Sequence, residues 1–273
     1  MIQHNVENPI LDNLDSDDPD RQAVALMDLV DAQFYPAAPH IVRLLKSPEA
    51  DIRADAAYAL GYLGVDEPQR YGVALMELLD DGEELVRCEA VEALGLLVYS
   101  PAVDNLKKLL REDSSPLVRA SAAEALGQLG KSEALEVLED SLRDADEDES
   151  VRAYAANAIG LLHYPPEAQI LGKLKNYLAV ECSLSVKSEL LGAIYWLGTK
   201  AALSELLELL TNADENLATS ILNILTDLAG RHSPSMLATD AGNMGEVLRA
   251  IAQRFPILAP HAQQLLIATG SQS

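Results

Sequence analysis

Residues able to do chemistry recur at fixed intervals in this chain, and the first of them are bases. Ile52-Arg53, Val86-Arg87, Val118-Arg119, Val151-Arg152 and Val186-Lys187 repeat a β-branched residue followed by a cation, at steps of 34, 32, 33 and 35 residues. Such a row either binds an extended anion or ties neighbouring structural units together through charge-assisted hydrogen bonds. Asp51, Glu84 and Glu149 lie close to the bases in sequence and favour the second use, a ladder formed by Arg53, Arg87, Arg119, Arg152 and Lys187. Counting three, six and ten residues on from each β-branched position gives a second set. It reads Asp55, Tyr58, Tyr62; Glu89, Glu92, Leu96; Ser121, Glu124, Gln128; Tyr154, Asn157, Leu161; and Glu189, Gly192, Trp196. This spacing keeps to one helical face. Carboxylates interleaved with Tyr and Trp have the composition of a protein-binding surface, in which rings anchor and charges set orientation and association rate. The competing reading is a solvated face whose rings lie over neighbouring units.

Other reactive groups do not assemble into a motif. His4, His40, His163, His232 and His261 are scattered, and neither HExxH nor CxxC occurs, so no metal and no cofactor are expected. Cys88 and Cys182 stand several units apart, too far for a disulfide, and read as packing thiols. Cys182 is the more accessible, but its neighbour Glu181 opposes a thiolate. Gly61–Gly64 and Gly127–Gly130 are too short for a phosphate loop and lack its Lys-Ser/Thr, and no G-x-S-x-G is present. No catalytic residue is assigned.

The elements that must carry these residues are helices in pairs. The second half of each unit reads IRADAAYALGYLG, VRCEAVEALGLLV, VRASAAEALGQLG, VRAYAANAIGLLH and VKSELLGAIYWLG, with a degenerate copy from Leu217. An apolar segment with three- and four-residue spacing precedes each, so each unit is predicted to be an antiparallel helical hairpin of an A and a B helix. Ser47-Pro48 and Ser115-Pro116 are placed as N-cap and first helical turn, and Gly64 and Gly130 as left-handed stops. Pro101 and Pro165-Pro166 forbid continuation of a helix. A hairpin of this size cannot bury both faces alone, so the fold class expected is all-α, an α-solenoid of about seven two-helix repeats with terminal caps.

The pattern D-[IV]-R-x-x-A-x-x-A-L-G-x-L-G at Asp51–Gly64, echoed through Gly198, resembles the HEAT-like repeat, in the short form named after phycobilisome lyases. The resemblance covers residues 18–229 and is specific for fold but not for function, because such repeats serve lyases, scaffolds and assembly factors alike. One solenoid over residues 1–273 is expected: a cap repeat at 1–35, regular repeats at 36–229, and a loop and helical cap at 230–273. In solenoids of this kind the B helices line the concave side, which places the acidic, aromatic set there.

Composition narrows the function. Lys plus Arg 20 against Asp plus Glu 43 gives a net charge of −23, which repels nucleic acid and anionic membranes. Residues 1–160 hold 33 of those acids and 13 of the bases, so the field is concentrated there. No apolar run is long enough to span a bilayer, and the opening MIQHNVENPI lacks the pattern of a secretory leader, so a cytoplasmic protein is expected. The leading reading is a non-enzymatic scaffold, adaptor or assembly factor that binds a protein partner, one with a basic surface included. A role on phycobiliproteins as a bilin lyase, or with cofactor-assembly proteins, is what the resemblance alone implies. The third class is an acidic mimic of nucleic acid.

Overall fold

Alanine and leucine dominate the repeated segments, and both favour helix while leaving little side-chain bulk between neighbours. The computed structural model describes residues 9–162, 167–231, 237, 239–240 and 242–270. Among these residues every regular element is helical and no strand occurs. The chain forms an α-solenoid of helical hairpins and divides into two compact units, Met1–Val137 and Leu138–Ser273.

In the first unit, α1 (Pro9–Asn13) pairs with α2 (Pro19–Asp31). Next, α3 (Ala38–Ile41), extended by a 3-10 turn over Val42–Lys46, pairs with α4 (Ala50–Leu63). Then α5 (Pro68–Met76), extended over Glu77–Asp80, pairs with α6 (Glu84–Leu96), and α7 (Val103–Glu112) pairs with α8 (Pro116–Leu129). The B helices α2, α4, α6 and α8 lie side by side in that order. Chain passes along α9 (Leu135–Arg143) into the second unit. There α10 (Glu149–Leu161), α12 (Leu184–Trp196) and α14 (Glu215–Arg231) repeat the B layer beside α11 (Glu167–Val180) and α13 (Ala201–Asn212). A last pair, α15 (Met244–Arg254) and α16 (Ala259–Thr269), packs on α13 and α14.

The core is a run of small and medium aliphatics: Ile52, Leu60, Val86, Leu94, Val118 and Leu126 in the first unit and Val151, Ile159, Val186 and Leu190 in the second are all fully buried. The residue after the last aliphatic of the motif decides how close B helices come. A Cβ at Gly160 would lie 2.6 Å from Ala193 Cβ and 3.1 Å from its Cα, an approach that no ordinary side chain tolerates. Helix α10 can therefore contact α12 backbone to backbone only because that residue is glycine.

Helix ends differ from expectation in three places. Glu49, not Ser47, is the N-cap of α4, and Ser47 Oγ instead accepts from the Glu49 amide at 3.3 Å. Ser115 does stand at the N-cap of α8, but its side chain makes no capping bond. Gly64 has φ −89°, so it is not a left-handed stop; a Cβ there would lie 2.6 Å from Leu60 O and 2.8 Å from the Tyr71 ring, and close approach is what requires glycine. The equivalent residue in the next repeat is Val98, which does adopt the left-handed region at φ 48°, as do Gly130 at 63° and Gly198 at 96°. Pro165-Pro166 lies outside the described residues.

Candidate functional site

The recurrent bases sit in the first turn of each B helix and reach forward into the next hairpin. Arg53 Nε and Nη2 donate to Asp81 at 2.8 and 3.0 Å, and Arg87 donates to Asp113 at 2.8 and 2.9 Å. The remaining guanidinium nitrogen of each donates to a main-chain oxygen of the preceding turn, Ser47 O and Asp81 O, both at 2.9 Å. Arg119 Nη1 donates to Asp113 O at 2.8 Å. In the second unit Arg152 donates to Glu181 at 2.5 Å and to Leu142 O at 3.2 Å. The acceptors are thus the carboxylates of the turn one repeat on, rather than the near neighbours Asp51, Glu84 and Glu149. Arginine suits this position because its planar fork meets a carboxylate with two parallel bonds. The Arg53 hydrogen bonds hold Asp81 below the usual carboxylate range. Burial works against ionising Asp113 and Glu181, yet Arg87 and the Ser115 amide, and the Ser183 and Cys182 amides with Arg152, keep both below it.

On the outer side of the B layer in the first unit, α4 presents Asp55, Tyr58 and Tyr62, α6 presents Glu89, Glu92 and Leu96, and α8 presents Glu124 and Gln128. The rings of Tyr58 and Tyr62 meet at 4.8 Å with a 48° tilt; Tyr58 is half-buried and Tyr62 is 45% exposed. Glu92 Oε1 accepts from Ser121 Oγ at 2.9 Å and from Cys88 Sγ at 3.4 Å, so this carboxylate is tied into the α6–α8 contact. Glu89 Oε2 is buried with no hydrogen-bond partner among the described residues. Burial first, then the like charges of Glu92 and Asp55, push its carboxyl up to about 7. Burial and Asp51 raise Asp55 as well. Gln128 Nε2 donates to Glu124 at 3.3 Å along α8. These residues form a patch in which like-charged carboxyls stand beside an exposed tyrosine.

In the second unit the same register gives Tyr154, Asn157 and Leu161 on α10 and Glu189 and Trp196 on α12. Tyr154 is 43% exposed. Asn157 Nδ2 donates to Glu189 Oε2 at 2.9 Å, which joins the two helices across the stripe. Trp196 is half-buried beneath the Arg231 guanidinium, 5.8 Å from the ring centroid, and Arg231 pairs with Asp227 at 2.8 Å. Asp227 falls ten residues after Leu217, so the stripe continues onto α14 through Ser220, Asn223 and Asp227, which the sequence reading left out. The signal was present as the register of the degenerate repeat, and Arg231, four residues after Asp227, continues the same face one turn on. Lys187 has no hydrogen bond or ion pair from its side chain among the described residues.

Among the described residues no group of three or more His, Cys, Asp and Glu converges as a metal site. Cys88 and Cys182 are free thiols, one buried and one exposed, and burial pushes the Cys88 thiol up to about 12, the opposite of an activated nucleophile. No described helix is long and apolar enough to cross a membrane.

Comparison with known proteins agrees with the repeat. Residues 52–81 match the family model of the PBS lyase HEAT-like repeat and residues 72–149 that of HEAT repeats. No curated protein matches the sequence. Among solved structures, the complex of CpcE and CpcF of phycocyanin lyase from Nostoc sp. PCC7120 is similar over 100% of this chain and 98% of that chain, at 21% identity and a TM-score of 0.58. Human deoxyhypusine hydroxylase in complex with glycerol covers 80% of this chain and 82% of its own at 21% identity and a TM-score of 0.33. At these identities the likeness concerns the fold.

Proposed function

We propose that the chain, whose residues 52–81 match the PBS lyase HEAT-like repeat and residues 72–149 the HEAT repeats, is a non-enzymatic adaptor or assembly factor. It binds a protein partner with a basic surface through the stripe of its B helices. The observation that carries this reading is the patch of the first unit, where Glu89 and Asp55 crowd like charge beside the exposed ring of Tyr62. Such a patch is costly to keep in an isolated protein and is relieved by a partner cation, while Tyr62 supplies area for an anchor. Tyr154, Asn157, Glu189 and Trp196 offer a second contact of the same composition in the other unit. The cytoplasm fits this role, since both thiols are free.

The test is an affinity capture from the source organism's lysate with the wild-type chain and a Tyr62→Ala, Glu124→Lys variant, followed by titration of the captured protein. Glu92 is avoided because its bond to Ser121 makes its loss a structural change. The reading expects a specific partner whose affinity falls by about tenfold or more in a variant of unchanged melting temperature. Equal retention by both baits refutes it. A second reading, a lyase or lyase-like chaperone for phycobiliproteins, is supported by the full-length likeness to the phycocyanin lyase complex. It expects the captured protein to be a phycobiliprotein and a bilin colour to appear on co-expression. The nucleic-acid mimic reading expects instead a DNA-binding enzyme that duplex DNA displaces.

A further inference from the structure

The ladder is broken at one step of the second unit, and a groove lies at the break. Arg53, Arg87 and Arg152 each reach a carboxylate that stands five residues before the next repeat's reference position: Asp81 before Val86, Asp113 before Val118 and Glu181 before Val186. The same count back from Leu217 falls on Asn212, an amide that cannot neutralise Lys187 and whose Nδ2 donates at 3.1 Å to Glu208 O on its own helix. Around this break lies a groove of about 750 Å³ between α11 and α13, in which the half-buried Leu178 and Leu209 offer apolar surface above the buried Leu191 and Ile194 of α12. Lys175 and Lys187 line it on the side of α11 and α12, and Glu205 and Glu208 line it along α13. None of the four charged side chains has an ion-pair partner among the described residues.

We propose that this groove docks an amphipathic helical segment of a protein partner, with acids on the flank facing Lys175 and Lys187, bases on the flank facing Glu205 and Glu208, and aliphatic residues on the floor. A cationic edge made by Lys175 of α11 and Lys187 at the start of α12, facing an acidic edge along α13 with aliphatic side chains between them, reproduces the arrangement by which paired helices select each other, apolar seam between charged flanks. A simple anion does not satisfy it, because the two glutamates repel what the two lysines attract. From Ala202 to Asn212 the α13 wall rises about 15 Å, which holds about three helical turns. The groove is separate from the B-helix stripe: around α12, Leu191 and Ile194 lie with Lys187, whereas Glu189 and Trp196 fall on the opposite side of the helix.

The test uses the full chain and a fluorescein-labelled designed peptide of about three helical turns, with leucines on one face, glutamates on one flank and lysines on the other. Two controls carry lysine on both flanks or glutamate on both. Saturable binding of the mixed peptide, weaker by about tenfold for each control, and methyl shifts at Ile194 on addition are expected. Lys175→Glu with Lys187→Glu should weaken the mixed peptide by about tenfold or more and strengthen the all-lysine peptide. Should Lys187→Glu lower the melting temperature, the exposed pair Lys175→Glu and Glu205→Lys replaces it, each alone costing affinity for the mixed peptide. Peptide binding should survive the Tyr62→Ala, Glu124→Lys change intact, which separates this site from the stripe. No saturable binding, indifference to charge reversal, or shifts elsewhere overturn the proposal. So do displacement of the peptide by decanoate, which marks a small-molecule site, and concentration-dependent dimers that block the groove.

Discussion

Glu89 makes the chain's stability fall as pH rises through neutrality. Its Oε2 is buried without a partner, and Asp55 and Glu92 add like charge from α4 and from its own helix. The carboxyl is raised from 4.5 to about 7 in the folded chain, so the folded state holds this proton more tightly than the unfolded state. Stability from this group is complete below the unfolded value near 4.5 and is lost as pH climbs through about 7. At about 1.4 kcal/mol per pH unit the whole gap amounts to about 3 kcal/mol, and partial solvent contact brings it to about 2 kcal/mol. Glu89→Gln removes the charge while its amide can donate to Glu92 or Asp55. Urea unfolding followed by helical circular dichroism, at pH 5.5 and pH 8, should show the wild type losing about 1 kcal/mol of stability relative to the variant across that interval, the rest of the loss falling below pH 5.5. The variant is then the more stable protein at pH 8. Equal pH slopes in the two proteins, or a variant that is weaker at pH 8, refute the assignment of an uncompensated carboxyl at this place.

Four further outcomes follow from the fold. Asp113→Asn leaves the Arg87 guanidinium, 13% exposed, beside a neutral group, and should cost about 3 kcal/mol by urea unfolding; a loss below about 1 kcal/mol shows that the ladder contributes no more than surface pairs do. Because Asp81, Asp113 and Glu181 are all held below their ordinary values, stability is complete above the unfolded carboxylate range and should be lost as pH falls below about 4. Val98→Gly should raise stability by about 1 kcal/mol, since an exposed β-branched residue at φ 48° gives up left-handed strain and little packing. No gain in midpoint contradicts the conformation described. Thiol titration of the native protein should find Cys182 reacting promptly and Cys88 only in denaturant, and two fast thiols contradict the burial of Cys88.

The sequence by itself determined the repeat, its helical hairpins and the register of both ladder and stripe. Those depend on periodicity within about 35 residues, which a single chain displays whenever the same burial problem is solved repeatedly. Asp55, Tyr58, Glu89, Glu92, Tyr154 and Trp196 could be placed on one side of their helices because 3.6-residue geometry leaves no other choice. Which carboxylate each arginine meets was not legible, since Asp51 and Asp81 are equally acidic and only the stacking of one hairpin on the next brings Asp81 to Arg53 at 2.8 Å. The same holds for Glu89 and Glu92, alike in sequence: Ser121 reaches Glu92 and leaves Glu89 alone. Gly64 and Val98 show the limit at the backbone, where the glycine keeps φ −89° against the Tyr71 ring and the β-branched valine is the one that turns left-handed, the reverse of what residue type suggests. Spacing along the chain sets which face a side chain occupies, and only packing between repeats sets what it meets there.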